Sequence, residues 1–189
     1  MKNKYIFFGD SLIFGYGVNP KDNWVNKLKN TYDLDIYNKG VNGSTSTDML
    51  LRFQRDVIDN SPNILFLMAG TNDLLSNRPV TSIVDNIEIM VKEALLNNIE
   101  VYIGIPPNII PEMANKLFMK CDAYDYCKKS LPLLRNELLN ICDSYSLNYI
   151  DFYSVTENTN QLSNLYLDGI HFNPEGQNLL FETAKKYLN

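Results

Sequence analysis

The chain is poor in the residues that metal chemistry requires. It has one histidine, His171, and three cysteines, Cys121, Cys127 and Cys142, with no C-x-x-C spacing. One imidazole and an odd set of scattered thiols do not assemble a structural zinc site, so reduced thiols and no metal are expected. Positive charge is also short, 17 Lys and Arg against 22 Asp and Glu, for a net charge of −5. A surface of that sign repels phosphate backbones and gains nothing from anionic lipid. Neither nucleic acid nor a membrane surface is an expected partner. No apolar run approaches the roughly 20 residues of a membrane span. The first such run, residues 5–8, ends at Gly9-Asp10 and is too short for a secretory leader, so a cytoplasmic protein is expected.

What is present reads as one globular domain over residues 1–189, with 45% hydrophobic and 21% charged residues. Five short apolar runs recur, at residues 5–8, 34–37, 64–69, 101–105 and 147–150, each followed by room for a helix. The run 64–69 does not alternate, which suits a strand covered on both faces. Ile83, Ile87, Val91 and Leu95 repeat every four residues, with Thr81 or Ser82 as expected caps and Asn97-Asn98 as the stop. Asn173-Pro174 reads as the cap and first turn of a last helix through Leu180, Ala184 and Leu188. Strand and helix alternating five times predict an α/β fold, a parallel sheet with helices on both faces. Residues 106–131 are too long for a simple crossover and read either as a lid insertion beside the strands' carboxyl ends or as an ordinary surface helix pair. A helix to about Ser144 follows, with Ser130 as its expected cap and Pro132 as a kink or first-turn residue.

Open parallel sheets gather their sites outside the carboxyl ends of the strands. Just there stand Gly9-Asp10-Ser11-Leu12, the stretch from Asn38 through Gly40 and Gly43 to Ser44, and Gly70-Thr71-Asn72-Asp73. Beyond the fifth run comes Asp168-Gly169-Ile170-His171. A serine hydroxyl is a weak nucleophile and needs an imidazole base held by a carboxylate. His171 is the available imidazole, and Asp168 precedes it by three residues, a spacing a turn can close. Acyl transfer also needs donors aimed at the developing oxyanion. The N–H of Gly43, before a helix capped by one of Ser44, Thr45 and Ser46, is one candidate; the Asn72 amide and the Ser11 N–H are the others. Each fragment alone is an ordinary turn or cap. Four of them in order on one sheet edge are not.

Together these blocks resemble the SGNH (GDSL-type) hydrolases, over nearly the whole chain. Gly9-Asp10-Ser11-Leu12, continued by Phe14-Gly15-Tyr16-Gly17, is similar to the family's first block, and Gly43, Asn72 and Asp168-Gly169-Ile170-His171 fall on the later ones. The resemblance implies a three-layer, flavodoxin-like α/β/α sandwich on five parallel strands. It implies a cofactor-free esterase with Ser11 as nucleophile, Asp168 and His171 as acid and base, and Ser11, Gly43 and Asn72 as the oxyanion hole. Asn42 stands where many members have serine, which leaves Gly40 as a rival to Gly43. The expected substrate is a small soluble ester with a short acyl group. Lysophospholipase or long-chain thioesterase activity on the same triad is the alternative. A flavodoxin-like phosphate- or cofactor-binding domain is the alternative of another class, though the segment from Gly9 to Gly17 has no Walker lysine. The G-x-S-x-G elbow of α/β-hydrolases is absent, because Ile13 occupies its second glycine.

Overall fold

The computed structural model describes residues 2–159 and 162–187. Its sheet has five parallel strands, β1 (Lys4–Gly9), β2 (Asp35–Gly40), β3 (Ile64–Met68), β4 (Glu100–Ile105) and β5 (Asn148–Asp151), in the order β2-β1-β3-β4-β5. All five apolar runs became strands. The helices are α1 (Ser11–Phe14), α2 (Trp24–Tyr32), α3 (Ser46–Asp56), α4 (Thr71–Leu75) and α5 (Val80–Leu96). After them come α6 (Pro111–Leu117), α7 (Ala123–Tyr145), α8 (Phe152–Glu157) and α9 (Pro174–Ala184). No helix of the described residues is long and apolar enough to cross a membrane.

Side chains of successive strand residues point to opposite faces, and both faces are covered. Ile6, Phe8, Leu65, Leu67, Val101 and Ile103 pack under α3, α5 and α7, against Met49, Phe53, Ile87, Val91, Leu134 and Leu138. Phe7, Ile36, Phe66, Met68 and Ile150 pack on the other side, against Ile13, Trp24, Leu28, Phe152 and Leu180. Every residue of β3 is buried, as the unbroken run of apolar side chains requires. The second cluster centres on aromatic edges. Trp24 meets Phe7, Phe66 and Phe152 with ring centroids 5.5, 5.6 and 5.3 Å away.

Local signals held unevenly. Asn173 caps α9 by accepting from the N–H groups of Glu175 and Gly176, with Pro174 in the first turn. Leu188, expected on that helix, lies outside the described residues. In α5 the four-residue repeat buries Ile83, Ile87 and Val91, but Leu95 is 37% exposed and Ala94 is buried in its place. A four-residue step over-rotates by about 40° per repeat, so the stripe slides back one residue. Thr81 and Ser82 do not cap α5; it starts at Val80 behind Pro79, without a side-chain cap. Ser130 is likewise not a cap. Helix α7 starts at Ala123, so Ser130 is buried within it and Pro132 lies inside as well. Tertiary burial of Cys127, Leu131 and Leu134 holds this helix across the proline.

Trp24 Nε1 donates to the Leu12 carbonyl at 2.9 Å, tying the second core to the turn that carries Ser11. Trp24→Phe keeps a ring but orphans that buried carbonyl. An unsatisfied buried acceptor and lost volume should destabilise the fold by about 2–4 kcal/mol, read as a lowered urea midpoint with unchanged slope.

Candidate active site

Strand order makes a switch point at β1. The chain leaves β1 for β2 on one side and returns through β3 on the other, so the segments after β2 and β3 flank the segment after β1. Register levels the three ends. Gly9 pairs with Gly40 on one side and Met68 on the other, which brings the continuations toward Gly43, Ser11 and Asn72 out together.

Ser11 opens α1, whose cap is Asp10. The Asp10 carboxylate accepts from the Leu12 N–H at 2.8 Å and fixes the turn. Asp168 and His171 come from the far end of the chain. Phe172 bridges antiparallel to Tyr166, and the Leu167 N–H donates to the His171 carbonyl at 2.8 Å, pinching residues 167–171 into a tight turn. Within it Asp168 Oδ1 accepts from the N–H groups of Ile170 at 2.9 Å and His171 at 2.7 Å. Its Oδ2 lies 2.7 Å from His171 Nδ1, and His171 Nε2 lies 2.9 Å from Ser11 Oγ. Carboxylate, imidazole and hydroxyl form one hydrogen-bonded chain. A proton on Nδ1 facing Asp168 leaves Nε2 free to accept from Ser11.

Burial pushes the Asp168 carboxyl up, but the bonds from His171 and Ile170 outweigh it and hold the group below the ordinary carboxylate value. Asp168 is therefore an anion at neutral pH. Asp10 differs. Its burial is only partly offset by the Leu12 N–H and the nearby His171, and its carboxyl is raised from 3.8 to about 6.

The candidate oxyanion donors are not equivalent. The Ser11 and Gly43 N–H groups make no hydrogen bond among the described residues, and Gly43 is exposed, with nothing within 4 Å of where a side chain would begin. Asn72 Nδ2 is engaged twice, donating to Asp10 Oδ2 at 3.2 Å and to the Ser44 carbonyl at 3.1 Å. Gly40, unlike Gly43, has its N–H engaged. Its N–H donates to Asn38 Oδ1 at 2.9 Å, and a side chain there would meet the Phe14 N–H and the Asp10 carbonyl, the latter at 2.8 Å. Gly40 is glycine because α1 crosses it closely.

The candidate lid divides. Residues 106–110 are pinned, with the Asn108 N–H on Thr156 Oγ1 at 2.9 Å, the Asn108 carbonyl accepting from Tyr166, and the Ile110 N–H on the Gly169 carbonyl at 2.8 Å. Met113 packs on the second core and Tyr124 on the first, while Leu117, Phe118 and Met119 are exposed. Some contributors gave no usable sequence signal. Arg52 donates to the carbonyls of Gly9 and Lys39 at 2.8 and 2.9 Å, clamping the ends of β1 and β2 beneath the turn. Asp73, fully buried, accepts from the N–H and hydroxyl of Ser46 at 2.7 and 2.8 Å and so ties α4 to α3. Asp10 was read only as part of the turn before Ser11, and the structure makes it the cap of α1.

Comparisons with known proteins bear on the family and the fold. The model of the GDSL-like Lipase/Acylhydrolase family matches residues 7–179. An uncharacterized lipoprotein, YqeF, of Bacillus subtilis (strain 168) is 45% identical over 75 residues, 36% of this chain and 31% of that protein. An arylesterase of Vibrio mimicus is 26% identical over 113 residues, 56% of either chain. The chain thus spans about a third to about half the length of the curated relatives it matches. A solved member of the lipolytic protein G-D-S-L family from Veillonella parvula superposes with a TM-score of 0.83 at 22% identity, covering 98% of this chain and 97% of that one, which speaks for the fold.

The raised Asp10 value has a measurable consequence. Its folded value of about 6 lies above the ordinary 3.8, so the fold tolerates Asp10 fully below about pH 4. The penalty for its charge grows as pH rises and is complete above about 6. The stability of the native chain relative to Asp10→Asn should fall by on the order of 2–3 kcal/mol between pH 4 and pH 7, by urea unfolding at both values. A constant difference would show that Asp10 ionises freely.

Proposed function

The chain belongs to the GDSL-like lipase/acylhydrolase family, and on that premise we propose that it is a serine esterase acting on small esters with short acyl groups. The observation that carries the reading is the hydrogen-bonded series Ser11 Oγ, His171 Nε2, His171 Nδ1, Asp168 Oδ2, with separations of 2.9 and 2.7 Å. In the proposed reaction the Ser11 hydroxyl proton passes to His171 Nε2 as Oγ bonds to the ester carbonyl carbon. The carbonyl π pair moves onto oxygen, where the free Ser11 and Gly43 N–H groups are the donors at hand. Asn72 adds its amide by yielding one of its two present acceptors. The tetrahedral adduct collapses, the C–O bond to the leaving group breaks, and that oxygen takes the proton from Nε2. Water then attacks the Ser11 acyl-enzyme by the same steps, releasing the acid and restoring the hydroxyl.

The short acyl preference rests on the segment at residues 106–124. Its first part is fixed by backbone bonds, and Met113 and Tyr124 are spent on the core, leaving Leu117, Phe118 and Met119 as apolar groups free of it. The arylesterase name of the Vibrio mimicus relative makes aryl esters the natural first panel.

Ser11→Ala should lose on the order of 10⁴- to 10⁶-fold in kcat while its urea midpoint stays near that of the native chain. A fluorophosphonate probe should modify the native chain at Ser11 and leave the variant unmodified. Retention of a tenth of the turnover would sink the mechanism. Across p-nitrophenyl acetate, butyrate, octanoate and palmitate, kcat/KM should peak at acetate or butyrate. Each methylene seated in an apolar channel adds about 0.8 kcal/mol, so a long channel would instead give a steep climb. A maximum at octanoate or longer would favour lysophospholipase or long-chain thioesterase activity.

A further inference from the structure

His171 has both ring nitrogens occupied, Nδ1 by Asp168 and Nε2 by Ser11. A third contact falls on its ring face. The Tyr16 ring lies over the imidazole with centroids 4.4 Å apart and planes inclined by 41°. The placement is built. Gly15, at φ 86°, ends α1 in the left-handed region, and Gly17, at φ 78°, turns the chain again on the other side of Tyr16. The Tyr16 N–H donates to the Ser11 carbonyl at 3.1 Å, so the aromatic ring is fixed to the backbone of the residue that carries the hydroxyl. A side chain on Gly17 would meet Leu167 Cδ1 at 2.5 Å, which wedges this turn against the turn that carries Asp168 and His171. Tyr16 is 44% exposed, and its hydroxyl makes no hydrogen bond among the described residues. A large aromatic ring left half in water, with its polar end unused, is held there by something other than core packing.

We propose that Tyr16 is a positioning residue for His171, its ring face fixing the imidazole between Ser11 and Asp168 and stabilising the imidazolium that forms when Ser11 gives up its proton. The inference rests on the serine-esterase reading and adds to it a group outside the triad and the oxyanion donors. An aromatic face carries negative charge density that attracts a cation within about 6 Å, and the imidazole becomes a cation only as the reaction proceeds. The charged groups facing the imidazole are Asp168, bonded to Nδ1, and Asp10, which acts on it through space. Tyr16 meets the imidazole separately from both, ring against ring. The ring also keeps water from that face.

The test compares Tyr16→Leu, which keeps apolar bulk without a π face, with Tyr16→Phe. Fluorophosphonate labelling of Ser11 and kcat/KM are followed from pH 5 to pH 9. Tyr16→Leu should lower the plateau about three- to tenfold and move the acid limb to lower pH, since a less stabilised imidazolium gives up its proton sooner. Tyr16→Phe should restore both to within about twofold. Because the chain has one histidine, its ring protons can be read directly by NMR, and Tyr16→Leu should remove the ring-current displacement that Tyr16→Phe preserves. A uniform loss with an unmoved acid limb would reduce Tyr16 to packing and overturn the proposal, as would a Tyr16→Phe variant as impaired as Tyr16→Leu. Native labelling at Ser11 with unaltered kinetics in Tyr16→Leu would overturn this role alone. A native chain unlabelled at Ser11 would overturn the esterase reading and this role with it.

Discussion

The site depends on three parallel strands ending level. Gly9 stands between Gly40 and Met68 in the ladder, so the chain leaves the sheet at one height in three adjacent places. A shift of one residue in either ladder would displace a donor by about 3.3 Å and turn alternate side chains to the other face. Two further features hold that height. Arg52 bonds the carbonyls at the ends of β1 and β2 and lies 4.2 Å from the centre of the Phe8 ring. Gly40, with no side chain, lets α1 descend onto the edge. Closing a loop of some 160 residues between Ser11 and His171 costs little more than closing a short one, because that entropy grows only with the logarithm of length. The sheet and its two cores supply what the loop does not.

The sequence showed the sheet because its signal is additive. Five apolar runs of four to six residues stand out from a composition rich in asparagine, and each is buried by helices whose own stripes repeat. Helix ends were less legible, because caps are decided by single hydrogen bonds that compete with burial. Asn173 won such a competition; Thr81, Ser82 and Ser130 lost theirs, the last because the apolar face from Cys127 to Leu134 extends the helix through Pro132. At the site, Ser11, Gly43, Asn72, Asp168 and His171 were legible from spacing and from their places after strands. Tyr16 was visible only as part of the first block, with no role of its own, and Arg52 was not visible at all. What each does depends on a partner far along the chain, His171 for Tyr16 and Gly9 for Arg52, 155 and 43 residues away.

Negative charge is concentrated around the edge, and the fold handles it in two ways. Asp168 is surrounded by N–H donors and stays ionised beside the His171 ring. Asp10 and Asp73 are more deeply buried, and desolvation raises both. Asp73 recovers part of its cost from Ser46 and Arg78, and in return fixes the start of α3, close to Gly43. Asp10 recovers less. It is kept beside Ser11 at a cost in stability, as expected where a polar group serves geometry instead of packing.

What Asp10 organises is the Asn72 amide. Electrostatic stabilisation of an oxyanion is effective when its donors already point at empty space, since turning them during the reaction returns part of the gain. The Ser11 and Gly43 N–H groups start free of any hydrogen bond among the described residues. Asn72 does not, because each hydrogen of Nδ2 already has an acceptor, Asp10 Oδ2 at 3.2 Å or the Ser44 carbonyl at 3.1 Å. Both bonds are at the long end of the N–H···O range, so an oxyanion, a charged acceptor able to draw a donor closer, competes with either on favourable terms. The Ser44 carbonyl is neutral and the Asp10 carboxylate is not, so the bond to Ser44 is the weaker of the two and the one to yield. Asn72 would then turn about an amide still held by Asp10. On the proposed esterase reading Asp10 is the hinge pin of the Asn72 amide, which accounts for a carboxylate buried where an apolar residue would pack at less cost.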